Sequence, residues 1–215
     1  MSITKCWQII DHLPSPPDHL VQEALDAGHE YHRRWYDPDN RPPVVNSGGN
    51  GIVFGTKIVY DNDGNAIVTR SNPRFPLSEE WNTWVRDNIA PVVVESGVSV
   101  GLMPRATDEE TTMGGPHTDT TRNFALLYPI EKGNDDQWTE FYQEAGEDVY
   151  RPYNCRPTQL AKLTCIDRVN APLHKWTMID GRILHAQKNI HKSRICLQVS
   201  LATDPFGVFD RAVVD

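Results

Sequence analysis

Two periodicities divide the chain. Over residues 17–36 the apolar positions Leu20, Ala24, Ala27 and Tyr31 recur at helical spacing, with Asp18 as a possible cap and Asp37-Pro38-Asp39 as the stop. A second helix opens at Ser78-Glu79-Glu80, where a Ser cap and two acids suit the positive helix end. Trp81, Trp84, Val85 and Ile89 form its apolar stripe, which reads as core, and Pro91 ends it. Between the helices, residues 52–60 and 66–69 read as a hairpin about the turn Asp61-Asn62-Asp63-Gly64.

After Pro91 the period becomes two. Strands are expected at 92–103, 111–119, 123–130, 138–143, 158–166, 174–179, 182–187 and 193–202. Short strands following two helices predict a mainly β (α+β) fold, a β-sandwich or jelly roll with the helices packed on one outer face. No repeat or linker divides the chain, so one domain is expected. Residues 1–91 hold helices and hairpin, 92–203 the β core and 204–215 a tail, with 145–156 the expected mobile loop.

Charge and composition narrow the function. The 215 residues carry a formal charge of −8, which disfavours general binding to a phosphate backbone. No apolar run is long enough to span a membrane, and the N-terminal residues lack the apolar stretch of a secretory signal, so a cytoplasmic location is expected. The four cysteines, Cys6, Cys155, Cys165 and Cys196, form no CxxC and read as free thiols.

The chemistry gathers in the second half. His12, His19, His29 and His32 lie in or beside the first helix and read as surface residues, as do Arg33-Arg34 and the pair Arg70 and Arg74. Gly114-Gly115-Pro116-His117-Thr118-Asp119 is different. In an extended chain His117 and Asp119 present an imidazole and a carboxylate to the same side. Alone, such a pair is as well explained by a surface or structural hydrogen bond. A second segment, 176–200, reads as two strands about a turn at Asn189-Ile190, which would make His185 and Arg194 cross-strand neighbours. In the last strand Ile195, Leu197, Val199 and Leu201 form one face and Arg194, Cys196, Gln198 and Ser200 the other. That second face would line a polar cavity or meet solvent. Two His and one carboxylate on adjacent strands are the donor set of a facial triad, which leaves metal positions open and suits Fe(II). Arg194 offers a planar fork for a carboxylate.

His117, Asp119, His185 and Arg194, in that order, resemble the signature of the iron(II)- and 2-oxoglutarate-dependent oxygenases, with Arg194 nine positions after the distal His. Arg122-Asn-Phe-Ala-Leu-Leu-Tyr-Pro-Ile, Thr139-Glu-Phe-Tyr142 and Leu184-His185-Ala186 fit the surrounding text, and the resemblance covers about 92–203. It implies a double-stranded β-helix. It implies Fe(II) on His117, Asp119 and His185, and the far carboxylate of 2-oxoglutarate, the co-substrate, on Arg194. The implied reaction consumes O2, hydroxylates a substrate C–H bond and releases succinate and CO2. Tyr128, Arg122 and Ser200 are candidate further contacts to keto acid or substrate, and Trp138 is a candidate cover for the site mouth. The sequence departs from the pattern before Thr139, where Gly133-Asn134-Asp135-Asp136 only loosely echoes the usual Gly-Gly-acid, and His191 competes with His185 as ligand. The substrate, an amino acid, a protein side chain or a small metabolite, is not readable. The competing readings are a cupin-like metalloenzyme without a keto acid, a metal-assisted hydrolase, and a non-catalytic jelly-roll binding protein.

Overall fold

The computed structural model describes residues 5–37, 39, 50–60, 66–71, 77–101, 115–119, 122–189 and 192–209, with the backbone alone described for Trp35 and for 50–60 and 66–71. The expected turn at 61–64, residues 104–114, Arg74 and His191 lie outside them. In chain order the elements are β1 (Trp7–Ile9), α1 (Asp18–Tyr36), β2 (Asn50–Tyr60), β3 (Ala66–Ser71), α2 (Glu79–Asn88) and β4 (Glu95–Gly101). There follow β5 (Phe124–Glu131), β6 (Trp138–Glu144), a 3-10 turn (Leu160–Lys162), β7 (Leu163–Val169), β8 (Thr177–Asp180), β9 (Leu184–Lys188) and β10 (Arg194–Leu201).

The strands make two antiparallel sheets. One has seven strands in the order β1-β8-β5-β10-β4-β2-β3, and the other three in the order β7-β6-β9. Strands from the first half of the chain thus extend the large sheet at both edges. Alternation sorts the large sheet's two faces. Ile195, Leu197, Val199 and Leu201 of β10 are buried with Phe124, Leu126, Tyr128 and Ile130 of β5 against Leu20, Ala24 and Tyr31 of α1 and Trp81 and Val85 of α2. Each such fully buried side chain is worth about 1.5–3 kcal/mol. Helix and sheet meet closely at Gly28, where an added Cβ would fall 2.8 Å from Ile195 Cδ1. Ser78 caps α2 by accepting from the Trp81 N–H, and its own hydroxyl donates to Glu23 at 2.8 Å.

The other face of the large sheet looks at the small sheet. Ala125 and Leu127 of β5 and Ile179 of β8 pack there on Phe141 of β6 and Val169 of β7. All four cysteines are free thiols.

Three expectations need correction. Residues 193–202 do form a strand, but it does not pair with the strand holding His185. β10 has both edges occupied, by β5 and β4, and β9 pairs with β6 in the other sheet. The chain crosses between sheets after Asn189, which takes a left-handed φ of 57°. Residues 158–166 begin as the 3-10 turn, so β7 starts only at Leu163. Within the described part of 111–119, only His117 makes a ladder contact, a single bridge to His185.

Candidate metal centre

His117 and His185 face each other as an antiparallel pair. The His117 N–H donates to the His185 carbonyl at 3.1 Å, and the His185 N–H returns to the His117 carbonyl at 2.9 Å. Their rings therefore project to the same side, with centroids 4.8 Å apart. Phe141 lies opposite His185 across the β6–β9 ladder and belongs to the core between the sheets, so His185 faces inward. Two residues beyond His117, the Asp119 N–H donates to the Gly181 carbonyl at 2.9 Å. The three side chains converge. One ligand atom from each lies within 4.8 Å of the others, and His185 Nε2 is 3.8 Å from Asp119 Oδ1.

Hydrogen bonds orient both imidazoles. His117 Nδ1 lies 3.0 Å from the Gly115 carbonyl and His185 Nδ1 2.9 Å from the Ile183 carbonyl. A carbonyl oxygen only accepts, so this pattern assigns the proton to Nδ1 and leaves Nε2 of a neutral ring with its lone pair. Burial, aided by His185, pushes the His117 pKa down to about 4, with Asp119 acting the other way, so this ring is neutral near pH 7. For Asp119, burial opposes ionisation most strongly. Arg122 and the two imidazoles together outweigh it and hold the carboxyl below its usual range.

Arg122 is committed to this carboxylate. Its Nε donates to Asp119 Oδ2 at 2.7 Å and one terminal nitrogen to Oδ1 at 3.2 Å, while the other reaches Ser200 Oγ at 3.0 Å. Arg122 thus bridges Asp119 and Ser200. Gly181 forms the opposite wall: a Cβ there would overlap Asp119 Oδ2 and come within 3.1 Å of the Asp119 Cβ and Cγ.

The segment expected to be mobile instead braces the site. Arg151 N–H donates to the Arg182 carbonyl at 2.8 Å, Asn154 N–H to the Asp119 carbonyl at 3.0 Å, and Thr118 N–H to the Cys155 carbonyl at 3.0 Å. Thr118 Oγ1 donates to the Pro152 carbonyl at 2.7 Å and accepts from the Cys155 N–H at 2.8 Å. Its base is tied to buried Glu144, which accepts from the Thr158 hydroxyl, the Thr158 and Gln159 N–H groups and Arg151. These bonds, the Thr158 hydroxyl foremost, hold the Glu144 carboxyl down at about 2.

Arg194 is buried on the inner face of β10, in line with Cys196, Gln198 and Ser200. No acidic side chain pairs with it among the described residues. It reaches Cys196, whose thiol burial pushes up while Arg194 acts the other way. Moving away from the His-Asp-His cluster, the inward positions are Thr139 after Phe141 on β6, Gln187 after His185 on β9, and Arg194 at the end of the β10 line. Gln187 Oε1 there is buried with no hydrogen-bond partner.

Other candidates fall elsewhere. Tyr128 is on the far face of β5, packed on Trp176 at 5.0 Å within the helix-side core. Strand parity decides this, because neighbouring Leu127 takes the inward position. Trp138 faces outward beneath Arg168, at 4.8 Å, and does not cover the cluster. Arg33 and Arg34 pair with Glu30, and His29 contacts Glu131 at 2.6 Å. Sequence reasoning missed Gly181 and Glu144. The Asp180-Gly181-Arg182 turn is a visible signal for the first, whereas nothing local marks the second.

No protein-family model matches the chain, and no curated protein matches it significantly. Among solved structures it resembles AviO1 from Streptomyces viridochromogenes Tue57 at 12% identity, covering 95% of this chain and 92% of that one, with a TM-score of 0.42. A bsmA homolog from Methylobium petroleophilum PM1 aligns at 13% identity over 93% and 91% of the two chains, TM-score 0.35. Asparagine oxygenase (AsnO) aligns at 8% identity over 88% and 92%, TM-score 0.33. At these values the functional reading rests on the site's own chemistry. What fold and cluster define is a mostly β, two-sheet protein with a possible His-Asp-His metal site between its sheets.

Proposed function

We propose that the chain is an Fe(II)- and 2-oxoglutarate-dependent oxygenase built on a double-stranded β-helix, with helices α1 and α2 on its outer face. The observation that carries this reading is a His-Asp-His cluster, buried at Asp119 and His185 and half-buried at His117, together with a buried arginine on β10 that no described acid neutralises. The donor chemistry fits a metal. Both Nε2 lone pairs are available, one carboxylate is ionised, and ligands about 2.1 Å from one ion sit roughly 3–3.5 Å apart, so movements of about an ångström would close the cluster.

His117, Asp119 and His185 would hold the ion, and Arg194 the distal carboxylate of the keto acid. Bound there, ferrous iron would activate O2, the oxidant, and the keto acid would supply two of the electrons as it is oxidised to succinate and CO2, so that the second oxygen atom can hydroxylate an unreactive C–H bond. The chain contributes orientation and dryness. The Gly115 and Ile183 carbonyls aim the imidazoles, Arg122 keeps Asp119 ionised, and Ala125, Leu127 and Phe141 exclude water from the space between the sheets. Arg194 supplies a planar pair of donors suited to a carboxylate.

The test is anaerobic titration of Fe(II)-loaded protein with 2-oxoglutarate, read by the visible charge-transfer absorption of a chelated keto acid. The expected result is a band that His117→Ala and Asp119→Ala abolish together with metal binding. Arg194→Ala should keep the metal and raise the keto-acid requirement at least tenfold, since a charge-assisted hydrogen bond contributes about 1.5–3 kcal/mol. Metal binding without any keto-acid response would overturn the oxygenase reading in favour of a metalloenzyme that needs no keto acid.

A further inference from the structure

We infer that Arg122 is a positioning residue for the metal ligand Asp119, restricting it to one-oxygen ligation through Oδ1; the inference rests on the cluster being a metal centre. Three observations converge. First, Oδ2 is already occupied. It accepts from Arg122 Nε at 2.7 Å, whereas Oδ1 receives only the longer 3.2 Å contact and is the oxygen lying 3.8 Å from His185 Nε2. Second, the carboxylate is packed against Gly181, where an added Cβ would overlap Oδ2, so the Oδ2 side of Asp119 is closed to any side chain at that position. Third, the guanidinium is itself anchored. Its remaining terminal nitrogen donates to Ser200 Oγ at 3.0 Å, and Ser200 is fully buried on the inner face of β10. Arg122 therefore joins the Asp119 segment to the strand that begins at Arg194.

The consequence is directional. A buried carboxylate facing two imidazoles with a free choice of oxygens can chelate an ion through both and consume an additional coordination position. With Oδ2 held by Arg122, it contributes one oxygen, so more positions stay open. Arg122 acts through Asp119, the cluster member it contacts.

Cobalt(II) serves as the probe, because its visible bands report coordination number and its affinity is measurable by calorimetry without turnover. Arg122→Gln should weaken Co(II) binding roughly 10–100-fold, the usual effect of removing a partner that orients a metal ligand. It should also shift the Co(II) bands from their wild-type position. Arg122→Lys, which keeps the charge but loses the fork, should not restore the wild-type spectrum. Ser200→Ala removes only the anchor and should weaken binding about twofold to tenfold, the worth of one hydrogen bond. Folded Arg122→Gln with wild-type affinity and spectrum would overturn the inference while leaving the metal centre standing. Should Arg122→Gln not fold, Ser200→Ala decides, and unchanged affinity and spectrum there overturn it. Absence of Co(II) binding by the wild-type chain would overturn the metal centre and this inference together.

Discussion

Gly181 shows how narrow the tolerances are at the level of single residues. The backbone there accepts from the Asp119 N–H and donates to the Asn123 carbonyl at 2.7 Å, while the Asp119 carboxylate lies over its α-carbon. A methyl group in that space must push the carboxylate off its position. Gly181→Ala should therefore cost stability modestly, about 1–3 kcal/mol as for overpacking in general. Its effect on metal binding should be disproportionate, at least tenfold, as seen by calorimetry with Co(II). Equal metal affinity in a folded Gly181→Ala protein would mean that the carboxylate has room the geometry denies it. The same scale explains which site contacts were misjudged. Tyr128 and Arg122 are close in sequence and were equal candidates, but strand parity sends Tyr128 to the helix side, whereas Arg122 precedes β5 and folds back on Asp119.

Among the elements, the segment between β6 and the 3-10 turn carries more of the site than its composition suggests. Its residues run beside both 117–119 and 181–185, so its placement sets the distance between the two cluster-bearing stretches. Glu144 anchors the base of that segment. With an ordinary value near 4.5 and a folded value of about 2, the carboxylate contributes stability that is complete above about pH 4.5. The contribution is lost as pH falls through about 2, because the unfolded chain takes up the proton first. Melting temperature should drop over this window in the wild type. Glu144→Gln should melt lower at neutral pH and show a shallower drop between pH 4.5 and 2. If the two profiles run parallel, Glu144 is not the group that links the loop to pH.

Across the whole molecule, His185 and Arg194 belong to different sheets, and a keto acid held by both a metal on the cluster and Arg194 would tie one sheet to the other. Ligand that binds only the folded chain stabilises by about 2.7 kcal/mol at a hundredfold excess over Kd. For a chain of this size that is a rise of roughly 5–10 °C in melting temperature. Metal and 2-oxoglutarate together should give this rise in anaerobic scans. Arg194→Ala should retain the metal's share and lose the keto acid's. A keto-acid increment that survives Arg194→Ala would place the anion elsewhere. Among the described residues no helix is long and apolar enough to cross a membrane.

The linear order of residues determined what is local. Alternation in 194–201 separated an apolar face from a polar one because strand side chains alternate whatever the strand pairs with. The one-residue gap between His117 and Asp119 kept their side chains within reach of one point even though the segment forms no regular strand, and Ser78 before two acids marked a helix start. Pairing between distant segments was not legible. Reading 176–200 as a hairpin placed His185 beside Arg194, whereas β10 is enclosed by β5 and β4 and His185 is flanked by Phe141 on one edge and His117 on the other. Which edge a strand offers depends on every other strand competing for it. The Gly181 wall beside Asp119 and the Ser200 anchor of Arg122 likewise exist only once distant segments have been brought together. The tertiary structure alone decided them, because each is a contact between side chains or backbone that the folded topology, not the local pattern, brings within a few ångströms.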